Sequence, residues 1–428
     1  MMKVAIISNG CIKEDAYQGN FIKLLEKNNI KQAENFREAN YLLYITCAGT
    51  GSIIKREIDE LSNYISLVEH YNKKIFIVGC LTKIESLFQN VKNDKNVKII
   101  KNENWLVPVM NDIKNENHHN SINTILANNT RDLFNSNARV QFFIERGCTN
   151  KCSFCKTNYL GNSVSSIPYD KALDYLRKLI RNGTKEITLS GENTTIYGID
   201  LYNKPIIHQL IHEISLEENL ERIRLNEVTV QNMYPELLNE IVNNHKINFV
   251  SMQLESGSDK ILNLMDRKYT LKDYDKVAKE IIDSGKYLST VLMSGFPKET
   301  YDDLDITSEY IKERGILTEF ICEYQNASFI PSGQLEQIPT KLKHRHTNYL
   351  KKIVRKNNQT IRQKYVDNNN RYMYLGKDSS DNFVFSSDID SFGFSKNEEF
   401  KSLRPGDTLN IKAKKLIKNN QYISKIKL

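Results

Sequence analysis

"RGCTNKCSFCKT", residues 146–157, places three cysteines within eight residues, spaced CxxxCxxC. An apolar run, Val140 to Ile144, leads into them and reads as a buried strand. The chain has seven cysteines, at 11, 47, 80, 148, 152, 155 and 322. Its first residues, Met1 to Ser8, form an apolar run too short for a secretory signal, and no run approaches membrane-spanning length. The expectation is a cytoplasmic chain, in which clustered cysteines serve metals or catalysis rather than disulfides. Three thiolates on one loop do not complete a zinc finger without a second pair nearby, and none follows. They do suit a cubane iron–sulfur cluster with one iron left open to a ligand. Inert buried cysteines are the bland alternative, and the tight spacing argues against it.

Downstream the pattern is strand–helix–strand. "VQFFI" is a first strand, and "DKALDYLRKLIRNG" is an amphipathic helix stopped by Gly183. "EITL", "RIRL", "FVSMQL", "STVLM" and "EFICEY" follow as strands with helices between them. Five or six such units over about 200 residues predict a partial (β/α)6 barrel rather than a closed eightfold one. Ligands of parallel sheets sit at the carboxyl ends of strands. There the chain carries Ser190-Gly191-Glu192, then Glu255-Ser256-Gly257-Ser258-Asp259, then Ser294-Gly295-Phe296-Pro297. A glycine after a strand is usually only a turn; three polar, glycine-bearing ends in register on one sheet mark a site.

Upstream, "KVAIIS", "YLLYIT" and "KIFIVG" alternate with the helical patterns "FIKLLEKN" and "IIKREIDELSNYISLV", predicting a parallel α/β domain over 1–113. Cys11, Cys47 and Cys80 each lie just past one of these strands, so a parallel sheet would gather them on one edge as a second three-thiol cluster site. A polar, Asn-rich stretch, 114–137, reads as a linker to a third region, 138–366. From 367 to 428 short runs broken by Gly, Asn and Asp ("RYMYLG", "NFVFSS", "DTLNIKAKKL", "YISKIKL") predict a small β-barrel. Net charge is +8, and Lys341 to Lys364 holds nine Lys or Arg without one Asp or Glu. That segment is either a solvated helix face or an anion-binding surface, with nucleic acid the commonest large anion.

CxxxCxxC with Phe154 before the last cysteine, at the end of a first barrel strand, resembles the radical S-adenosylmethionine (SAM) enzymes. The resemblance implies that Cys148, Cys152 and Cys155 hold a [4Fe–4S] cluster whose open iron is chelated by SAM. Reductive cleavage of SAM then gives a 5′-deoxyadenosyl radical that abstracts hydrogen from unactivated carbon. The cofactor carries this chemistry and the fold orients it. By the same resemblance Ser190, Gly191 and Glu192 meet the SAM ammonium, Glu255 and Ser256 the ribose or amino-acid part, and Ser294 and Gly295 the adenine. No catalytic side chain beyond the cluster and SAM ligands is implied.

With Cys11, Cys47 and Cys80 added, the whole chain resembles the radical SAM methylthiotransferases, which end in a TRAM β-barrel. This implies two [4Fe–4S] clusters, two SAM molecules per turnover, a flavodoxin- or ferredoxin-type electron donor, and a monomer. "NTTIYGIDLYNKP" (193–205) is similar to the branch that modifies a ribosomal-protein aspartate. "RIRLNEVTV", "LESGSDKILNLMDRKYT" (254–270) and "SGFPKET" (294–300) are more similar to the branches that modify tRNA adenosine. Together with the basic segment and the terminal "LRPGDTLNIKAKKL", these make a tRNA adenosine the first expected substrate and a protein or peptide side chain the second. A non-catalytic RNA-binding iron–sulfur protein is a third reading, which 5′-deoxyadenosine formation would exclude.

Several positions depart from the family pattern. Glu14 stands where Asn is usual, Arg146 where an acid is usual, Glu255 where Gln is usual and Val291 where Asp is usual. "KTNYLGNSVSSIP" and "ASFIPSGQ" lack the usual arginines. These changes bear on substrate rather than chemistry. "HQLIH" (208–212) has zinc-protease spacing but Gln in place of the general base, so His208 and His212 read as an exposed helix face. Gly49 and Gly51 read as a turn, and Cys322 as core packing. The Asp-x-His-x-x-Gly loop of cobalamin-dependent methylases is absent.

Overall fold

A computed structural model of the chain describes residues 2–8, 12–46, 51–91, 94–101, 105–114, 130–132, 136–159, 163–366, 368–378, 380–389, 392–417 and 423–426. They fall into two compact units. The first takes Met1–Thr130, Cys155–Asn162 and Gln325–Ile330; the second takes Arg131–Phe154, Ser163–Tyr324 and Pro331–Leu428.

The first unit is built on five strands: β1 (Lys3–Ser8), β2 (Lys31–Gln32), β3 (Tyr41–Thr46), β4 (Lys74–Gly79) and β5 (Val97–Ile99). All pair in parallel, in the order β2-β1-β3-β4-β5. Side chains alternate faces along a strand. Val4, Leu43 and Ile45 join one apolar cluster with Phe21 and Leu25 of α1 (Ile12–Lys27), while Leu42, Tyr44 and Ile77 join another with Leu61, Ile65 and Val68 of α2 (Gly51–His70). Helix α3 (Leu106–Lys114) adds Leu106, Val109 and Met110 to the first cluster. With both faces covered, the strands read as nearly unbroken apolar runs. Of the expected linker 114–137, residues 115–129 and 133–135 lie outside the described residues, and Thr130–Asp132 forms β6.

The second unit holds a sheet in the order β14-β13-β12-β11-β10-β7-β6. Its parallel strands are β7 (Arg139–Phe143), β10 (Glu186–Ser190), β11 (Arg222–Val228), β12 (Ile247–Met252), β13 (Tyr287–Ser294) and β14 (Leu317–Glu323). These six, neighbours in sequence order, are the partial barrel. A short antiparallel pair, β8 (Glu145–Arg146) with β9 (Ser165–Ser166), flanks the cysteine loop. The longer helices between strands are α4 (Tyr169–Arg181), α5 (Ile207–Ser215), α6 (Pro235–Asn243), α7 (Leu271–Asp283) and α8 (Tyr301–Arg314). Thr270 and Thr300 open α7 and α8 with reciprocal capping boxes to Asp273 and Asp303.

The basic segment is one helix, α9 (Thr340–Val366), and it is two-faced. Lys343, His346, Thr347, Leu350, Val354, Asn357 and Asn358 are buried, whereas Lys341, Arg345, Lys351, Lys352, Arg355 and Lys356 are exposed. After α9 comes a closed barrel, in the order β15-β16-β17-β19-β18, of β15 (Asn369–Lys377), β16 (Phe383–Ser387), β17 (Phe392–Ser395), β18 (Thr408–Ile417) and β19 (Ile423–Ile426). Strand β17, "FGFS", was not among the four runs read from the sequence.

This barrel is keyed to the amino ends of the sheet strands by buried charge. Glu186 is fully buried, with guanidinium nitrogens of Arg139, Arg222 and Arg224 at 2.9, 2.9 and 2.6 Å. Arg224 donates an aligned hydrogen bond to it; the other two are ion pairs without that alignment. Arg222 also donates to Asp388 at 2.7 Å, and Arg224 donates to the Ser387 carbonyl. Burial pushes the Glu186 carboxyl up, but the three arginines outweigh it and hold it well below the usual carboxylate range.

Candidate active site

The site lies at the carboxyl ends of the second sheet and starts from β7, which delivers the chain to Gly147 and Cys148. Glu145, one residue into β8, is buried and accepts from the Asn193 amide at 2.8 Å. A Cβ at Gly191 would sit 1.7 Å from Glu145 Oε1, so a side chain there would push that carboxylate off the Asn193 amide. Next to it Glu192 Oε2 accepts from the Gly147 amide at 3.0 Å. Ser190 Oγ accepts from Gln141 Nε2 at 2.8 Å. The end of β10 and the start of the cysteine loop are thus one hydrogen-bonded corner.

Cys148 Sγ receives two N–H groups: the Asn150 amide at 3.4 Å and Asn193 Nδ2 at 3.5 Å. The loop is moored further on by Ser153, whose amide donates to the Met265 carbonyl and whose Oγ donates to the Leu264 carbonyl, both at 2.8 Å. Phe154 packs with Ile261, Met265, Phe296 and Tyr324. Arg267 lies 5.5 Å from the Phe154 ring centre and feels the Cys152 thiol.

At the end of β12, Glu255 is buried with positive φ, bridged to β13 by its amide on the Val291 carbonyl (3.1 Å) and its carbonyl on the Met293 amide (2.9 Å). Its side chain has a partner that the sequence did not disclose: Arg267 Nη2 donates to Glu255 Oε1 at 2.5 Å. Burial raises the Glu255 carboxyl and Arg267 pulls it back, leaving it above the usual range. Burial works against the Arg267 charge, but Tyr269, Glu255 and Cys152 around it hold its proton more tightly than usual. Ser256 Oγ accepts from the Ser258 amide at 3.2 Å, and Ser258 Oγ donates to Asp303 at 2.7 Å, so α8 anchors this loop. Cys322, read as core, is half-buried on β14, with its thiol raised to about 11 by burial and by Glu255.

At the end of β13, Ser294 Oγ meets Thr347 Oγ1 of α9 at 2.7 Å. Gly295 has φ of 73°, and a Cβ there would meet Lys343 Cγ at 2.2 Å. Its amide donates to Glu299 Oε2 at 2.6 Å, which His346 Nδ1 also approaches at 3.1 Å. Part of the basic segment therefore backs the expected adenine side of the site. Lys343, whose ammonium lies 5.0 Å from the Tyr324 ring centre, is held below the usual lysine range by burial.

In the first unit, β1, β3 and β4 run side by side in parallel, so their carboxyl ends share an edge. Thr46 pairs with Gly79, so Cys80 follows directly on a register that β3 and β4 share. Thr46 Oγ1 donates to the Val78 carbonyl at 2.7 Å and accepts from the Leu81 amide at 3.1 Å, fixing the turn that carries the half-buried Cys80. Cys11 and Cys47, like Gly49, lie outside the described residues. Cys155 belongs to the first unit. His208 is partly buried, with Nδ1 2.9 Å from Tyr234 Oη, and His212 lies 3.6 Å from Glu240. Both histidines line a surface cavity of about 690 Å³ with Tyr169, Glu213 and Glu236.

The comparisons with known proteins agree with this layout. Residues 143–311 match the radical SAM superfamily, and residues 3–100 match the uncharacterized protein family UPF0004. The ribosomal protein uS12 methylthiotransferase RimO of Acetivibrio thermocellus is 26% identical over 402 residues, 85% of this chain and 84% of that one. RimO of Clostridium novyi is 26% identical over 96% of this chain and 95% of its own. The threonylcarbamoyladenosine tRNA methylthiotransferase MtaB of Aquifex aeolicus is 32% identical over 52% of this chain and 54% of its own. The radical SAM methylthiotransferase family fits this chain. Among solved structures, the radical SAM methyltransferase TsrM of Kitasatospora setae matches with a TM-score of 0.53 at 10% identity, over 78% of this chain and 75% of that one, which speaks for the fold.

Radical SAM enzymes use a [4Fe–4S] cluster and SAM, and the methylthiotransferases carry two clusters. The surroundings of Cys148 and Cys152 fit such a group. Two N–H donors face one sulfur and a buried guanidinium lies beside the other thiol, an environment that favours thiolates. Among the described residues no three His, Cys, Asp or Glu side chains converge as a single ion requires. A cubane does not ask for that, since each thiolate takes its own iron. No helix among the described residues is long and apolar enough to cross a membrane.

Proposed function

We propose that this enzyme transfers a methylthio group onto an unactivated C–H bond of a macromolecule. Cys148, Cys152 and Cys155 would hold one [4Fe–4S] cluster, and Cys11, Cys47 and Cys80 the other. The first, when bound with SAM, supplies a carbon radical by one-electron cleavage. The chain's own residues do the positioning. Ser190, Gly191 and Glu192 would receive the SAM ammonium, Glu255 and Ser256 the ribose or amino-acid part, and Ser294 and Gly295 the adenine. The observation that carries this reading is the 3.0 Å bond from the Gly147 amide to Glu192, which sets the ammonium motif against the loop of Cys148. We assign residues 1–113 to the auxiliary-cluster domain, 138–366 to the radical SAM domain and 367–428 to a TRAM-like barrel, with 114–137 as linker. The site is cytoplasmic in this reading, and a flavodoxin- or ferredoxin-type protein supplies electrons to a monomer.

For the substrate, a protein side chain comes first, because relatives named as ribosomal protein uS12 methylthiotransferases align along 84% and 95% of their own length. A tRNA adenosine, the first expectation from the sequence, is the second reading. It is favoured by the MtaB likeness and by the outward face of α9, where Lys341, Arg345, Lys351, Lys352, Arg355 and Lys356 make no salt bridge among the described residues. Mass spectrometry of tRNA nucleosides and ribosomal proteins from a deletion strain separates the two. Loss of a methylthio group from uS12 supports the first; loss from a tRNA nucleoside with uS12 unchanged replaces it.

A further inference from the structure

Asn193 follows the SAM-ammonium motif directly and is fully buried. Each of its polar atoms is in use. Its backbone N–H donates to Glu145 Oε1 at 2.8 Å. Its side-chain Nδ2 donates to Asn232 Oδ1 at 2.8 Å and to Cys148 Sγ at 3.5 Å. Its Oδ1 accepts from Thr229 Oγ1 at 3.0 Å. Thr229 is fixed in turn, its amide donating to Thr195 Oγ1 at 2.9 Å and its hydroxyl lying 2.9 Å from Asn232 Oδ1. With the two ends of the Asn193 amide exchanged, its carbonyl would face the sulfur of a thiolate and the carbonyl of Asn232. The network therefore aims an N–H at the sulfur.

A buried N–H aimed at a ligating sulfur has an electrical consequence. Reduction of an iron–sulfur cluster adds negative charge that is shared onto its sulfurs. A donor on a sulfur favours the reduced state, and hydrogen bonds to sulfur are among the levers that set cluster potentials. The low dielectric around a buried amide strengthens the effect. Of the two donors to Cys148 Sγ among the described residues, the Asn150 one is a backbone amide that no side-chain change removes, whereas the Asn193 one is a side chain that a substitution can alter.

We propose that Asn193 is a positioning residue that raises the reduction potential of the radical SAM cluster through its amide N–H on Cys148 Sγ. This rests on the reading that Cys148 ligates that cluster.

The test uses the full chain with Cys11, Cys47 and Cys80 changed to Ala, reconstituted anaerobically so that only the radical SAM cluster forms. A redox titration followed by electron paramagnetic resonance gives the midpoint potential of this parent and of its Asn193→Ala and Asn193→Asp forms. Asp keeps the shape but replaces the donor with an anion. The expected result is unchanged iron content with a potential lowered in both, by about tenfold in the reduction equilibrium or about 59 mV for a one-electron couple. Asp should fall at least as far as Ala. Asn232→Ala, which leaves the donor on sulfur, should move the potential much less. An unchanged potential in a cluster-loaded Asn193→Ala form overturns the proposal. So does loss of the cluster from both forms, since Asn193 would then build the loop rather than tune it. A separate control, Cys148→Ala in the same parent, speaks to the underlying assignment: a cluster retained there refutes Cys148 as a ligand, whatever Asn193 does.

Discussion

Glu186→Gln should weaken the second unit substantially, at the amino end of β10 rather than the carboxyl end that meets the cysteine loop. The carboxylate is completely buried, and three guanidinium groups lie within 2.9 Å of it. Asp388 would remain on Arg222. Removing one partner of a buried ion pair costs about 3–5 kcal/mol, chiefly because charge is stranded without compensation. Gln keeps the volume and offers Arg224 a carbonyl, which places the expected loss near the lower end, at about 3 kcal/mol. For a body of this size 1 kcal/mol moves Tm by roughly 2–4 °C, so the transition of this unit should fall by roughly 6–12 °C in scanning calorimetry. The pH dependence has a definite sign. Glu186 is held well below the usual range in the folded chain, whereas the unfolded chain takes up its proton near an ordinary value of about 4.3. Its stabilisation is complete above that value and drains as pH falls through it towards the lower folded one. Glu186→Gln should lack this acid-side loss, so the two proteins converge in stability as pH is lowered. A Tm within roughly 2 °C of the parent at neutral pH, or no convergence in acid, would refute this account of the joint.

Three further outcomes are expected. Changing Cys148, Cys152 and Cys155 together to Ala should leave about half of the reconstituted iron and sulfide and abolish SAM cleavage; loss of all iron, or of none, contradicts the two-cluster assignment. Glu192→Ala should lower SAM affinity by about one to two decades, the worth of one charge-assisted hydrogen bond, with iron content intact. Equilibrium dialysis reporting unchanged affinity would remove Glu192 from the ammonium site. Changing Lys351, Lys352, Arg355 and Lys356 to Gln should flatten the salt dependence of RNA binding by roughly three units if this face meets phosphates, while leaving SAM cleavage without substrate unchanged. An unaltered salt slope would make the face a solvated one.

The parts of the site legible in the sequence are those whose partners are chain neighbours or strand ends. CxxxCxxC is a local spacing, and Ser190, Glu255 and Ser294 were found because each ends an apolar run whose direction the parallel order fixes. Asn193, Glu145 and Arg267 were missed for the converse reason. Asn193 meets Cys148 across 45 residues, and Glu145 meets Asn193 across 48. Arg267 is only 12 residues from Glu255, but no periodicity says that a turn folds one back onto the other. "MDRKYT" contained Arg267 all along, and its charge beside a buried run was the available signal. Strand β17 escaped because four residues interrupted by Gly393 give too little alternation to count.

The basic segment shows how far composition alone can carry a functional claim. Nine cations without an acid invite one explanation, yet α9 divides them. Lys343 packs its stem on Gly295 and points its ammonium at Tyr324, so it backs the expected adenine side and is turned away from the outer face. Lys351, Arg355, Lys341, Lys352, Arg345 and Lys356 fall, at about 100° per residue, within an arc of about 140° opposite the buried stripe. None of these six has a salt bridge among the described residues, although Glu323 meets His344 and Asp305 meets Tyr349 on the same side, and that arc survives the loss of Lys343 from the count. The same helix therefore touches the expected adenine side through Thr347 and His346 and presents cations on its back. Any polyanion seated on that back lies one helix diameter from Ser294 and Gly295. In the proposed reading the adenine side and the tRNA-facing surface would be two faces of one element, which is why the four-residue Gln variant, confined to the outer face, tests the tRNA reading without touching Ser294 or Gly295.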